Sequence, residues 1–176
     1  WDKRFIQMAK EVASWSKDPS QQVGCIAVKN RRIIATGYNG FPIGIEDENL
    51  EDREHKYTYM VHAEKNMVYN ACRHGVSLVD SEVYVYGLPV CGECWKGLVQ
   101  VGVKRVIMPD VNHINERWHQ SCTCGYLGMR QVGVEVVTYE KEDLDDSYFL
   151  NYLNYNNITF NTSSLEISFI KHCESK

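Results

Sequence analysis

Residues 61–108 read VHAEKNMVYNACRHGVSLVDSEVYVYGLPVCGECWKGLVQVGVKRVIM, and the punctuation of this stretch decides the fold class. Val61 to Arg73 reads as a helix that ends before Gly75, and Glu82 to Tyr86 as a strand. Gly92 to Val101 reads as a short helix closed by Gly102, and Val103 to Met108 as an apolar strand running into Pro109. Working outward, Phe5, Ile6, Met8, Ala9, Val12 and Ala13 recur at helical spacing within Arg4–Trp15, and Ser16-Lys17-Asp18-Pro19-Ser20 stops that helix. Val23–Lys29 and Arg32–Tyr38 form a predicted hairpin around Asn30-Arg31. Asn39 to Lys56 reads as loop, Ser121 to Gln131 as a helix, and Val134 to Tyr139 as a last strand. Helices and strands alternating in this order predict an α/β chain folded as a three-layer α-β-α sandwich with a central mixed five-stranded sheet. The domain is expected over residues 1–142. Residues 143–176 form a partly helical tail, in which Tyr148, Leu150, Tyr152 and Leu153 suit a docking helix.

With 176 residues, 44% hydrophobic and 24% charged, the chain can bury one core without disulfide staples. No apolar run approaches the ~20 residues of a membrane helix, so no membrane association is expected. Trp1-Asp2-Lys3-Arg4 lacks the apolar centre of a signal peptide. Nineteen basic against 23 acidic residues give a net charge of −4, which argues against a nucleic acid polymer as partner, since that affinity rests on neutralising phosphates. Seven cysteines, an odd number at irregular spacing, suit a reducing compartment: the cytoplasm, or the host cytoplasm for a viral protein.

His62-Ala63-Glu64 and Pro89-Val90-Cys91-Gly92-Glu93-Cys94 carry the chemistry. One imidazole (His62) and two thiolates (Cys91, Cys94) make the three protein ligands of a catalytic zinc site with an open fourth position. Thiolates are favoured at helix N-termini. Glu64 lies two residues after His62, beside the metal rather than on it, as a proton carrier must. Zinc lowers the pKa of water towards ~7, and a hydroxide so formed can attack the amino-bearing carbon of a ring such as cytosine. A redox Cys-x-x-Cys, or a structural site completed by Cys122-Thr123-Cys124, are the alternatives. The joint occurrence of His-x-Glu, strand, Pro and Cys-x-x-Cys opening a helix favours the zinc deaminase signature. Val90, standing between Pro89 and Cys91, departs from the usual Pro-Cys spacing.

These motifs, with Ser16–Gly24, Thr36–Pro42 and Lys56–Glu64, give a chain that resembles the deoxycytidylate (dCMP) deaminases of the cytidine deaminase superfamily, over roughly Phe5 to Val137. The resemblance implies the cytidine deaminase-like fold and hydrolysis of dCMP to dUMP and ammonia, feeding thymidylate synthesis. It implies His62, Cys91 and Cys94 as zinc ligands, Glu64 as general acid/base, Asn39 on the deoxyribose 3′-hydroxyl, and the Ala63 N–H on the base carbonyl. It also implies a homohexamer activated by dCTP and inhibited by dTTP with Mg2+, with Gly37, Tyr38 and Gly40 bordering the effector site. Some relatives carry a second, structural zinc, but no extra ligand set stands out, and Cys25 reads as packing. Phosphate candidates are Lys17, Arg53, Lys56 and Arg117, and Trp118 or Tyr59 could stack on a base. Competing functions are a deaminase of another substrate, such as tRNA adenosine or free cytidine, and a non-catalytic zinc protein.

Overall fold

The computed structural model describes residues 1–46, 50–112, 114–140, 158–161 and 166–169. The chain separates into two units, Trp1–Glu140 and Lys141–Lys176. In the first, helix α1 (Asp2–Ala13) leads to strands β1 (Gly24–Lys29) and β2 (Arg32–Tyr38) and helices α2 (Arg53–Tyr59) and α3 (Ala63–Arg73). Then β3 (Glu82–Tyr86), α4 (Cys94–Gln100), β4 (Arg105–Pro109), α5 (Glu116–Gln131) and β5 (Glu135–Tyr139) alternate. The sheet has the order β2-β1-β3-β4-β5. β1 is antiparallel to both β2 and β3, whereas β3, β4 and β5 run parallel, so the sheet is mixed as expected.

The β1–β2 hairpin turns on Asn30 and Arg31, both at positive φ (53° and 60°), the signature of a two-residue turn matched to strand twist. Alternation along β1 sorts the two cores. Gly24 faces α1, and a side chain there would strike the backbone of Ala9 and Ala13. Cys25 and Ala27 face the opposite core with Ala63, Met67, Val83, Val85, Val106 and Met108. Hence α1 covers one face of the sheet and α3, α4 and α5 the other, giving three layers.

One helix not expected from the sequence and one clearly shifted boundary depart from the reading. The stretch read as loop through Lys56 contains the start of α2, because the Asp52 side chain accepts the N–H groups of Glu54 (3.0 Å) and His55 (3.3 Å) and caps the helix. Helix α5 begins at Glu116 rather than Ser121, where the Asn115 side chain accepts the Arg117 N–H at 3.0 Å. In the second unit, β6 (Ile158–Asn161) and β7 (Glu166–Phe169) pair antiparallel. The helix expected around Tyr148–Leu153 falls outside the described residues. Among the described residues no helix is long and apolar enough to cross a membrane.

Topology gathers one end of the sheet. Gly24 at the start of β1 pairs with Tyr86 at the end of β3 and with Tyr38 at the end of β2. The segments leaving β2 and β3 and entering β1 therefore meet at the carboxyl end of β3.

Candidate active site

Gly87 follows β3 at φ 105° and lies against the Gln22 carbonyl, so only glycine fits there. The chain then runs through Leu88, Pro89 and Val90 to Cys91. Val90 is fully buried, and its N–H donates to the Met108 sulfur at 3.4 Å. The extra residue between Pro89 and Cys91 is thus absorbed as a core side chain. Helix α5 holds this loop. The Cys122 thiol donates to the Pro89 carbonyl at 3.5 Å, and the Val90 carbonyl lies where a Gly125 side chain would be.

His62 arrives from the other side. Gly40 and Val61 exchange backbone hydrogen bonds of 3.1 and 2.9 Å, pairing the segment that leaves β2 with the one that enters α3. His62 is the extended N-cap residue of α3 (φ −67°, ψ 152°), not part of its first turn. Its Nδ1 stands 3.4 Å from the Sγ of Cys91 and 3.4 Å from the Sγ of Cys94. All three ligand atoms lie within 4.8 Å of one another, the one such cluster among the described residues.

The donor set fits zinc. Tetrahedral bonds of ~2.0–2.1 Å to nitrogen and ~2.3 Å to sulfur put nitrogen and sulfur about 3.5 Å apart, close to what the three side chains adopt. The protonation pattern suits it too. A hydrogen bond from the Cys94 thiol pulls the Cys91 thiol down to about 3 against the cost of burial, with His62 and the N–H groups of Cys94 and Glu93 assisting. Cys94, keeping the proton it donates, is pushed up. The hydrogen bond to Cys91 likewise raises His62, with burial opposing. An ion binding as Lewis acid replaces the proton that the sulfurs share.

Glu64 is buried at 4% exposure in the first turn of α3. Burial raises its carboxyl above the ordinary value, and the nearby Cys91 charge raises it further, while His62 and two hydrogen bonds pull the other way. A raised carboxyl holds a proton more readily than a free one, which suits a group that must both accept and return one. Ala63, fully buried beside it, is the first residue of α3, where N–H groups have no partner within the helix.

The remaining expected residues divide. Asn39 is buried at the same rim: its Oδ1 accepts the Val23 N–H (2.8 Å), and its Nδ2 donates to the Gln21 carbonyl (2.9 Å) and to Asp18 (3.4 Å). Oδ1 keeps a second lone pair. Gly37 lies under α3, its missing side chain replaced by the backbone of Ala63 and Met67. Tyr38 is 40% exposed and meets Trp15 edge-on, and Gly40 belongs to the bridge to Val61. Lys56 is buried, its ammonium on Asp18 (3.0 Å) and Ser20 (2.6 Å). Arg53 and Arg117 are exposed around Tyr57. Arg117 donates to the Tyr57 hydroxyl at 2.9 Å and lies 4.2 Å over the Trp118 ring. Tyr59 packs on His55 and Phe41. Cys25 is fully buried, as a packing residue is. Cys122 is buried on Pro89 and Cys124 is exposed, and neither joins the cluster. Ser121, Gly125 and Asp18 were not legible as site residues. The first two sit in a helix read only for its pattern, and Asp18 in a stretch read as a helix stop and as part of the resemblance, with no role given to its carboxylate.

Residues 1–109 match the family described as the cytidine and deoxycytidylate deaminase zinc-binding region. An uncharacterized deaminase of Aliivibrio fischeri is 38% identical over 138 residues, covering 77% of this chain and 91% of that protein. Human deoxycytidylate deaminase is 35% identical over 144 residues, covering 76% of each. The crystal structure of a dCMP deaminase from cyanophage S-TIM5, in complex with dCMP and dUMP, superposes with a TM-score of 0.63 at 27% identity. It covers 78% of this chain and 95% of that one.

Proposed function

Because the chain belongs to the cytidine and deoxycytidylate deaminase family, we propose that it hydrolyses dCMP to dUMP and ammonia. The observation that carries this reading is the convergence of His62, Cys91 and Cys94 beside a buried Glu64. These three side chains would hold Zn2+, which when bound supplies water acidified to about pKa 7 as nucleophile. The Glu64 carboxylate takes a proton from the attacking water and delivers it to the ring nitrogen. It then takes the remaining proton of the added hydroxyl, which becomes the product carbonyl, and passes it to the amine as the carbon–nitrogen bond breaks. The burial of Glu64 keeps competing solvent from its carboxyl. The Ala63 N–H donates to the base carbonyl, and the open lone pair of Asn39 accepts the 3′-hydroxyl.

dCMP rather than a polymer is favoured by the similarity to dCMP deaminases and by the net charge of −4. Arg53 and Arg117, both exposed beside Tyr57, would meet its phosphate, whereas the Lys56 ammonium is already engaged by Asp18 and Ser20. The deaminase domain is assigned to residues 1–142. Regulation by dCTP and by dTTP with Mg2+ in a hexamer belongs to the same reading. It is supported by the Gly37-Tyr38-Asn39-Gly40 motif, of which Tyr38 is the exposed member. The test is ammonia release from dCMP, cytidine and tRNA in parallel, with and without each effector. Turnover of dCMP above the other two is expected, and activity on tRNA but not dCMP overturns the reading.

A further inference from the structure

A buried polar network stands behind the wall that carries Asn39. The Asp18 Oδ1 accepts the Lys56 ammonium (3.0 Å), the Ser20 N–H (2.9 Å), the Ser20 hydroxyl (2.9 Å) and the Gln21 N–H (3.1 Å). Its Oδ2 faces the Asn39 amide at 3.4 Å. The Ser16 hydroxyl donates to the Asn39 carbonyl at 2.7 Å. Lys56 and Asp18 are exposed by only 7% and 6%. A charge at that depth is costly unless paired, so the partners hold each other in one geometry. Lys56 lies on α2, Asp18 after α1, and Asn39 after β2, so the pair joins three separate stretches of chain at one point. The charged hydrogen bond is stronger and more directional than the neutral ones around it.

We propose that Lys56 is a positioning residue for sugar recognition: it fixes the Asp18 carboxylate, which orients the Asn39 amide so that Oδ1 presents its open lone pair to the nucleotide's 3′-hydroxyl. The inference rests on the dCMP reading of the site. Lys56 touches neither the substrate nor the metal ligands in this scheme, and its effect is on selection between sugars.

The test compares dCMP with 2′,3′-dideoxycytidine 5′-monophosphate, which lacks the hydroxyl. The ratio of kcat/KM between the two should fall about tenfold in Lys56→Met, the worth of one hydrogen bond, through a raised KM for dCMP. Bound zinc should be unchanged. Asp18→Asn should lower the same ratio, and Lys56→Met should do little further on the Asp18→Asn background, because the two act as one unit. The double variant also carries no unpaired buried charge, so it decides the matter if Lys56→Met alone does not fold. A folded Lys56→Met or double variant with the parental ratio overturns the proposal. So does a loss of zinc and kcat at constant ratio, which would place the pair in support of the metal site. A parent that ignores dCMP defeats the substrate reading instead. The 3′-hydroxyl comparison is then made on the nucleoside it accepts, with the same two outcomes.

Discussion

The Ser121 hydroxyl accepts the backbone N–H of Gly92 at 3.1 Å, so α5 grips the loop between the two cysteines from behind. Four residues on, Gly125 brings the helix so close that the Val90 carbonyl occupies the place of a side chain. Gly125→Ala should therefore push α5 off the cysteine loop. Overpacking of this kind costs about 1–3 kcal/mol. Thermal unfolding and zinc content should both fall. Gly97, on α4, has open space where its side chain would be. Gly97→Ala should leave zinc content unchanged and, by helix propensity, raise stability by about 0.5–1 kcal/mol.

Glu64→Gln keeps the shape of a buried side chain and removes the proton carrier. Deamination should fall by roughly 10²–10⁴-fold, the usual worth of a positioned acid/base. Metal analysis should show zinc retained. Ammonia release within a few-fold of the parent would show that another group moves the protons.

Removal of the metal should separate the catalytic from the non-catalytic zinc reading. Chelation should abolish turnover and lower the unfolding temperature together, and added zinc should restore both. Cys94→Ala should reproduce the chelated state, because the two remaining ligands, the partly buried Cys91 and exposed His62, cannot complete the three-ligand set. Full turnover by the metal-free protein would exclude the scheme.

Much of this architecture was legible because it is written in local signals. The Asn30-Arg31 turn, the Gly75 and Gly102 stops and the β-branched strands each act on near neighbours, and the structure places strands where those signals stand. The ligand trio was legible because its spacing is a motif. What escaped reading depends on pairs distant in sequence. Nothing near Lys56 announces that Asp18, 38 residues away, will take its charge. By residue type alone a lysine is a surface cation, and its loop context made it a phosphate candidate. Gly125 likewise looks like a weak point in a helix until Val90 is seen against it. Helix α2 and the start of α5 were missed for a smaller reason. Asp52 and Asn115 are good caps, but each stands in a polar stretch that reads equally well as loop.

Acid stability should report on Asp18. Burial works to raise its carboxyl, but the Ser20 N–H, the Lys56 ammonium, the Ser20 hydroxyl and the Gln21 N–H outweigh burial and hold it below the ordinary value of 3.8. A carboxyl depressed in the fold binds its proton more readily in the unfolded chain, so its contribution is complete above the unfolded value. It is lost as pH drops through 3.8 towards the lower folded value. The unfolding free energies of the parent and of Asp18→Asn should accordingly differ by a constant amount near neutral pH, and the gap should narrow below pH 3.8, by at most about 1.4 kcal/mol per pH unit. Near neutral pH the variant leaves Lys56 without its carboxylate, and breaking a buried pair from one side costs about 3–5 kcal/mol. Denaturant titrations of both proteins between neutral pH and pH 3 read this directly. A gap that stays constant through the acid range would mean that Asp18 keeps an ordinary proton affinity in the fold and that the network around it is not held together by charge.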